Sequence, residues 1–166
     1  MRLPTAKRIS TERYIAGLSV FKKKLAKIKL SANESAFGPS PKVVKEYNKI
    51  SKSLKFYPDS EGAFLRKKLA KKFKLDSSRI ILGSGSDQIF EFICKAYLNK
   101  NDEVIVSNYS FIVYRIYSKM NGAKVVYAKE NNFFASTKNI LSKVTKKTKI
   151  VFLANPNNPT GTYIDK

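Results

Sequence analysis

Ala154-Asn155-Pro156-Asn157-Asn158-Pro159-Thr160-Gly161-Thr162 follows the apolar run Ile150-Val151-Phe152-Leu153 and leaves no room for helix or ladder. Each proline fixes its own φ and pushes the residue before it toward extended backbone, so Asn155 and Asn158 are held off helical geometry and their amides are aimed. An aimed amide can hydrogen-bond a ligand, although the same residue types also build an ordinary strand-to-helix turn. A second stretch, Gly83-Ser84-Gly85-Ser86-Asp87-Gln88, comes after Ile80-Ile81-Leu82. Its glycines let backbone approach a ligand closely, and the N–H groups of Ser86, Asp87 and Gln88 at a helix start make an anion site suited to a phosphate. The competing reading is a capped helix whose Asp87 favours its own N-terminal dipole. Gln88 stands where the dinucleotide fingerprint needs its third glycine, and no Gly-Lys-Ser/Thr follows for a P-loop. Tyr109-Ser110-Phe111 adds aromatic rings that would either stack on a planar ligand or fill a core.

The elements around these groups alternate. Ile80–Leu82, Val104–Val106, Val125–Tyr127 and Ile150–Leu153 read as strands, separated by helices over 89–98, 111–120 (closed by Gly122) and a short one capped by Ser136. That alternation predicts an α/β fold, a mostly parallel sheet with helices on both faces, where ligands collect beyond the carboxyl ends of the strands. Upstream, Pro41 suits the first position of a helix running toward Ser53, and Asp59 or Ser60 can cap a helix carrying Phe64, Leu65, Leu69 and Phe73. Val20, Phe21, Leu25 and Ile28 offer a short amphipathic stretch, read as an arm that packs on a partner rather than a membrane-surface helix.

The chain has 166 residues and a formal charge of +21. Such a charge raises nucleic acid or an anionic membrane as partners. The excess is lysine spread through every segment, without an arginine cluster, which fits a compositional bias better than nucleic-acid binding. The single Cys94 falls in a helical apolar pattern, reads as a buried small hydrophobe, and rules out a disulfide framework or a zinc spacing. Met1-Arg2-Leu3-Pro4 opens no long apolar segment, and a cytoplasmic protein with no metal is expected.

Asn33-Glu34-Ser35-Ala36-Phe37-Gly38-Pro39-Ser40-Pro41, Tyr57-Pro58-Asp59, Gly85-Ser86-Asp87-Gln88 and Asn155 to Gly161 resemble, in kind and order, the motifs of fold-type I pyridoxal-phosphate aminotransferases of class I/II, most closely the histidinol-phosphate aminotransferase branch. The likeness runs from about Leu30 to the end. It implies pyridoxal 5'-phosphate as cofactor, with its phosphate on Ser86, Asp87 and Gln88 chiefly through backbone N–H groups. It also implies a ring stacked by Phe111, where tyrosine is common, and a phenolic oxygen met by Asn158. Tyr57 matches a tyrosine that reaches the partner subunit's cofactor in a homodimer, and Asn33 and Glu34 lie in the segment that covers substrate. The implied domains are an arm and substrate-covering segment over 1–40 and an incomplete cofactor-binding large domain over 41–166. The implied reaction moves an amino group between glutamate and a phosphorylated ketone, imidazole-acetol phosphate in histidine biosynthesis. A decarboxylase of amino-acid phosphates shares the early motifs, and a non-catalytic or basic nucleic-acid-binding fragment is the alternative from another class.

Such transaminases need a lysine for the Schiff base, an acid for the pyridinium nitrogen and an arginine for the substrate carboxylate. In the family all three follow the Pro-Asn-Asn-Pro-Thr-Gly segment. Here five residues follow Gly161, and Lys166 is no substitute. The expectation is therefore the N-terminal half of such an enzyme, with no catalytic residue of its own and no turnover.

Overall fold

The computed structural model describes residues 9–15, 20–21, 24–25, 28 and 30–165. They form two compact units, Ile15–Leu82 and a second made of the residues up to Tyr14 with those from Gly83 onward. The readings made of Met1 to Pro4 and of Lys166 lie outside the described residues.

In the Ile15–Leu82 unit, β1 (Val20–Phe21) pairs antiparallel with β2 (Lys24–Leu25). The stretch read as amphipathic is therefore a minimal two-stranded ladder, in keeping with the strand preference of Val and Phe. Helix α1 (Pro41–Ile50) begins where expected: the Ser40 hydroxyl accepts from the Val43 N–H at 3.4 Å and Pro41 takes the first helical position. A 3-10 turn over Ser51–Ser53 extends it. Helix α2 (Ala63–Phe73) is led in by Asp59, whose carboxylate accepts from the N–H groups of Glu61 (3.0 Å) and Ala63 (2.7 Å). Gly62 between them sits at φ 56°, and a Cβ there would collide with the Leu82 side chain, so only glycine suits the position. Arg66 donates from Nε and an Nη to the Ser77 carbonyl at 3.1 and 2.8 Å, tying α2 to the 3-10 turn Ser77–Arg79.

Ile80-Ile81-Leu82 is not a strand. Leu82 is drawn against Gly62, Ile81 is exposed, and the Ile80 N–H donates back to Ser77. Three aliphatic residues have strand propensity, but propensity yields to tertiary contacts when no neighbouring strand pairs with them.

The other unit runs α3 (Gly85–Tyr97), β3 (Glu103–Ser107), α4 (Ile112–Met120), β4 (Lys124–Ala128), α5 (Thr137–Leu141) and β5 (Thr148–Phe152). The sheet order is β4-β3-β5, and both pairings are parallel. Alternation along β3 sorts the two faces. Val104 and Val106 join Cys94, Leu98, Tyr114 and Phe152 in a core under α3 and α4, while Ile105 meets Ala128 and Ile140 under α5. Helices thus cover both faces. Val104, Ile105 and Val106 are fully buried, each worth about 1.5–3 kcal/mol relative to exposure. Between β3 and β5 the register slips once: Glu103 is opposite Thr148 and Val104 opposite Ile150, so Lys149 is an extra residue.

Candidate functional site

At the carboxyl edge of this sheet an aromatic cluster ties α3, α4 and β5 together. Tyr114 of α4 stacks on Phe152, the last residue of β5, with centroids 4.7 Å apart and planes 7° apart. Phe90, in the second turn of α3, stands edge-on to both at 4.9 and 5.9 Å. Offset and edge-on pairs favour these separations. The cluster therefore holds the start of α3, the start of α4 and the mouth of β5 together.

Beyond Phe152, Asn155 pairs with Ile164 much as a strand residue would: its Nδ2 donates to the Ile164 carbonyl (3.0 Å) and its Oδ1 accepts from the Ile164 N–H (2.8 Å). Asn157, which precedes no proline and drew no attention in the sequence, is the buried member of the loop. Its main chain exchanges bonds with Thr162 and Gly161, both 2.8 Å, and its Nδ2 donates to Thr160 Oγ1 (2.9 Å) and the Tyr109 carbonyl (3.3 Å). The Thr160 hydroxyl passes on to Thr162 Oγ1 at 2.8 Å, which donates to the Phe133 carbonyl at 2.7 Å. With the loop fixed by its neighbours, half-buried Asn158 has no side-chain hydrogen bond among the described residues.

Tyr109, Ser110 and Phe111 follow β3. Ser110 is buried and its Oγ donates to the Ser107 carbonyl at 2.7 Å. Phe111 caps α4, half-buried, edge-on to Tyr114 at 5.8 Å and to Tyr14 at 6.3 Å. The Tyr109 N–H donates at 3.3 Å to Oε1 of Glu130, just past β4. Glu130 is buried, and its Oε2 has no partner among the described residues. Burial lifts its carboxyl above the usual range, only partly offset by the Tyr109 N–H. A raised folded-state value means that this group's stability contribution is complete below the unfolded carboxyl range and lost as pH rises through the folded value. Glu130→Gln is therefore expected to melt higher than the parent at pH 7 and to lose that advantage below the ordinary carboxyl range, as thermal melts by circular dichroism at both pH values would show.

Ser86, Asp87 and Gln88 lie inside the first turn of α3, which starts four residues earlier than the sequence suggested. The N–H groups of Ser86 and Asp87 have no acceptor among the described residues, as expected for a first helical turn. Gly85, at φ 75°, has open space where a Cβ would be, so a ligand could approach the backbone. The Gln88 side chain turns back, its Oε1 accepting from the Ser84 N–H at 2.7 Å. In the Ile15–Leu82 unit, the Tyr57 ring stands fully in solvent, and Asn33 and Glu34 are exposed in the loop before α1. Among the described residues no cluster of His, Cys, Asp and Glu could hold a metal ion, and no helix is long and apolar enough to cross a membrane.

The family model for aminotransferase class I and II matches residues 26–166. The chain belongs to this family. As a class I and II aminotransferase chain it is 52% identical over all 166 residues to the histidinol-phosphate aminotransferase of Pelagibacter ubique (strain HTCC1062), covering 46% of that protein. It is 48% identical over 136 residues to the histidinol-phosphate aminotransferase of Rhodopseudomonas palustris (strain BisA53), covering 82% of this chain and 37% of that one. Less than half the length of each relative is therefore spanned. Among solved aminotransferases, the Sinorhizobium meliloti histidinol-phosphate aminotransferase in complex with pyridoxal-5'-phosphate superposes with a TM-score of 0.76 at 25% identity, over 80% of this chain and 36% of that one.

Proposed function

We propose that these residues form part of a histidinol-phosphate aminotransferase, exchanging an amino group between glutamate and imidazole-acetol phosphate in histidine biosynthesis, in the cytoplasm. The observation that carries this reading is the 52% identity across the whole chain to a protein of that name. The residues fit pyridoxal phosphate: among the described residues the N–H groups of Ser86 and Asp87 have no acceptor, Gly85 leaves an open approach, and the Asn158 amide has no hydrogen bond. When bound, the cofactor supplies an electron sink for bond-breaking at an amino-acid α-carbon. On this reading the first turn of α3, Ser86 to Gln88, holds the phosphate through main-chain N–H groups, helped by the positive end of the helix dipole. Phe111 packs against the pyridine ring, and Asn158 donates to the phenolic oxygen. In a homodimer Tyr57 extends to the partner's phosphate, while Asn33 and Glu34 belong to an arm over 1–40 that covers substrate and 41–166 supply the cofactor-binding domain.

The lysine that anchors the cofactor covalently has no counterpart in these residues. The 166-residue chain is expected to bind pyridoxal phosphate weakly, with no single lysine labelled on borohydride reduction and peptide mapping. Stoichiometric labelling of one lysine would refute that assignment, and absence of any saturable binding would refute the cofactor reading.

A further inference from the structure

Two carboxylates of the sheet are equally buried, Glu103 at the amino edge and Glu130 at the carboxyl edge, each 7% exposed. Their surroundings differ. Glu103 accepts from Thr145 Oγ1 at 2.7 Å and lies 3.4 Å from Lys124 Nζ, which hold its carboxyl below the usual range, the Thr145 bond foremost. Among the described residues Glu130 has no cation beside it, and one main-chain N–H is its partner. A buried carboxyl with a single partner costs stability, so whatever it returns must come through that partner.

The partner is Tyr109, whose two main-chain groups are both held by side chains from elsewhere. Its N–H is taken by Glu130, beyond β4, and its carbonyl by Asn157, beyond β5. Two residues later Phe111 begins α4. We propose that Glu130 is a positioning residue for the Tyr109–Phe111 turn, its reach rather than its charge setting where the Phe111 ring stands. The consequence for ligand binding rests on the cofactor reading above; the placement of the turn does not.

The two properties separate in Glu130→Gln, which keeps the reach, and Glu130→Asp, which keeps the charge and shortens the arm by a methylene. Two quantities are measured in the full chain: hydrogen exchange at the Tyr109 amide, with Val104 to Val106 as the folding control, and affinity for pyridoxal phosphate by absorbance titration. The Gln variant should protect the Tyr109 amide at least as well as the parent and match it in cofactor affinity. The Asp variant should expose the Tyr109 amide and bind the cofactor about tenfold more weakly, the scale of one lost buried hydrogen bond, with β3 still protected. The reverse ranking, or loss of β3 protection together with Tyr109, would overturn the proposal in favour of a charge effect or a merely structural residue. If the parent binds no cofactor, the cofactor reading fails and Tyr109 exchange still decides the positioning role.

Discussion

Phe152→Ala is expected to destabilise the unit that holds the parallel sheet by about 3–5 kcal/mol, the usual range for deleting a buried aromatic ring. The ring is 9% exposed, stacked on Tyr114 and met edge-on by Phe90. Its loss removes apolar burial and leaves a cavity bordered by two rings on two different helices, which cannot close over it without moving the turns that carry them. Urea unfolding should show a lower midpoint with an unchanged slope, and Phe152→Leu should cost less because part of the volume is refilled. A loss below about 1 kcal/mol for the alanine variant would mean that the ring is not a keystone of this core.

The second large effect divides two adjacent asparagines. Asn157→Ala removes the donor to the Tyr109 carbonyl and to Thr160 Oγ1 inside a buried loop. Leaving such groups unsatisfied costs about 1–3 kcal/mol, so a clear drop in thermal midpoint is expected. Asn158→Ala removes no bond recorded among the described residues, and its stability should stay within about 0.5 kcal/mol of the parent. Its cofactor affinity should nevertheless fall about tenfold, if its amide serves a ligand. Calorimetric melts and cofactor titrations on both variants test the division. Equal losses of stability would remove the grounds for treating Asn158 as the ligand-facing amide.

What could be read from the sequence was local. Ser40 before Pro41 and Ser136 ahead of α5 cap as their type predicts, whereas the N-cap of α2 is Gly62, with Asp59 accepting from the Ala63 N–H from four residues upstream. β3, β4 and β5 are legible in their short β-branched runs. What stayed hidden depends on partners distant in the chain. Asn157 is not legible in the sequence because its importance lies in a bond to Tyr109, 48 positions away. Glu130 sits in the polar run Lys129 to Asn132, which reads as solvated, and only the fold turns its side chain inward. Ile80 to Leu82 misled in the opposite sense: the strand signal was present, but Gly62 offered Leu82 a contact that the sheet did not.

The extra residue at Lys149 also bears on how this chain tolerates changes of length. Below it, Thr148 follows the turn at Thr145, whose hydroxyl holds Glu103. Above it, Ile150 to Phe152 stay matched to Val104 to Val106 and deliver the asparagine loop. The bulge divides β5 into a segment bound to the turn and a segment bound to the site. An insertion or deletion around 146–149 would have slack to absorb it before it reached Phe152, whereas the same change at 153 or 154 would displace every amide that follows.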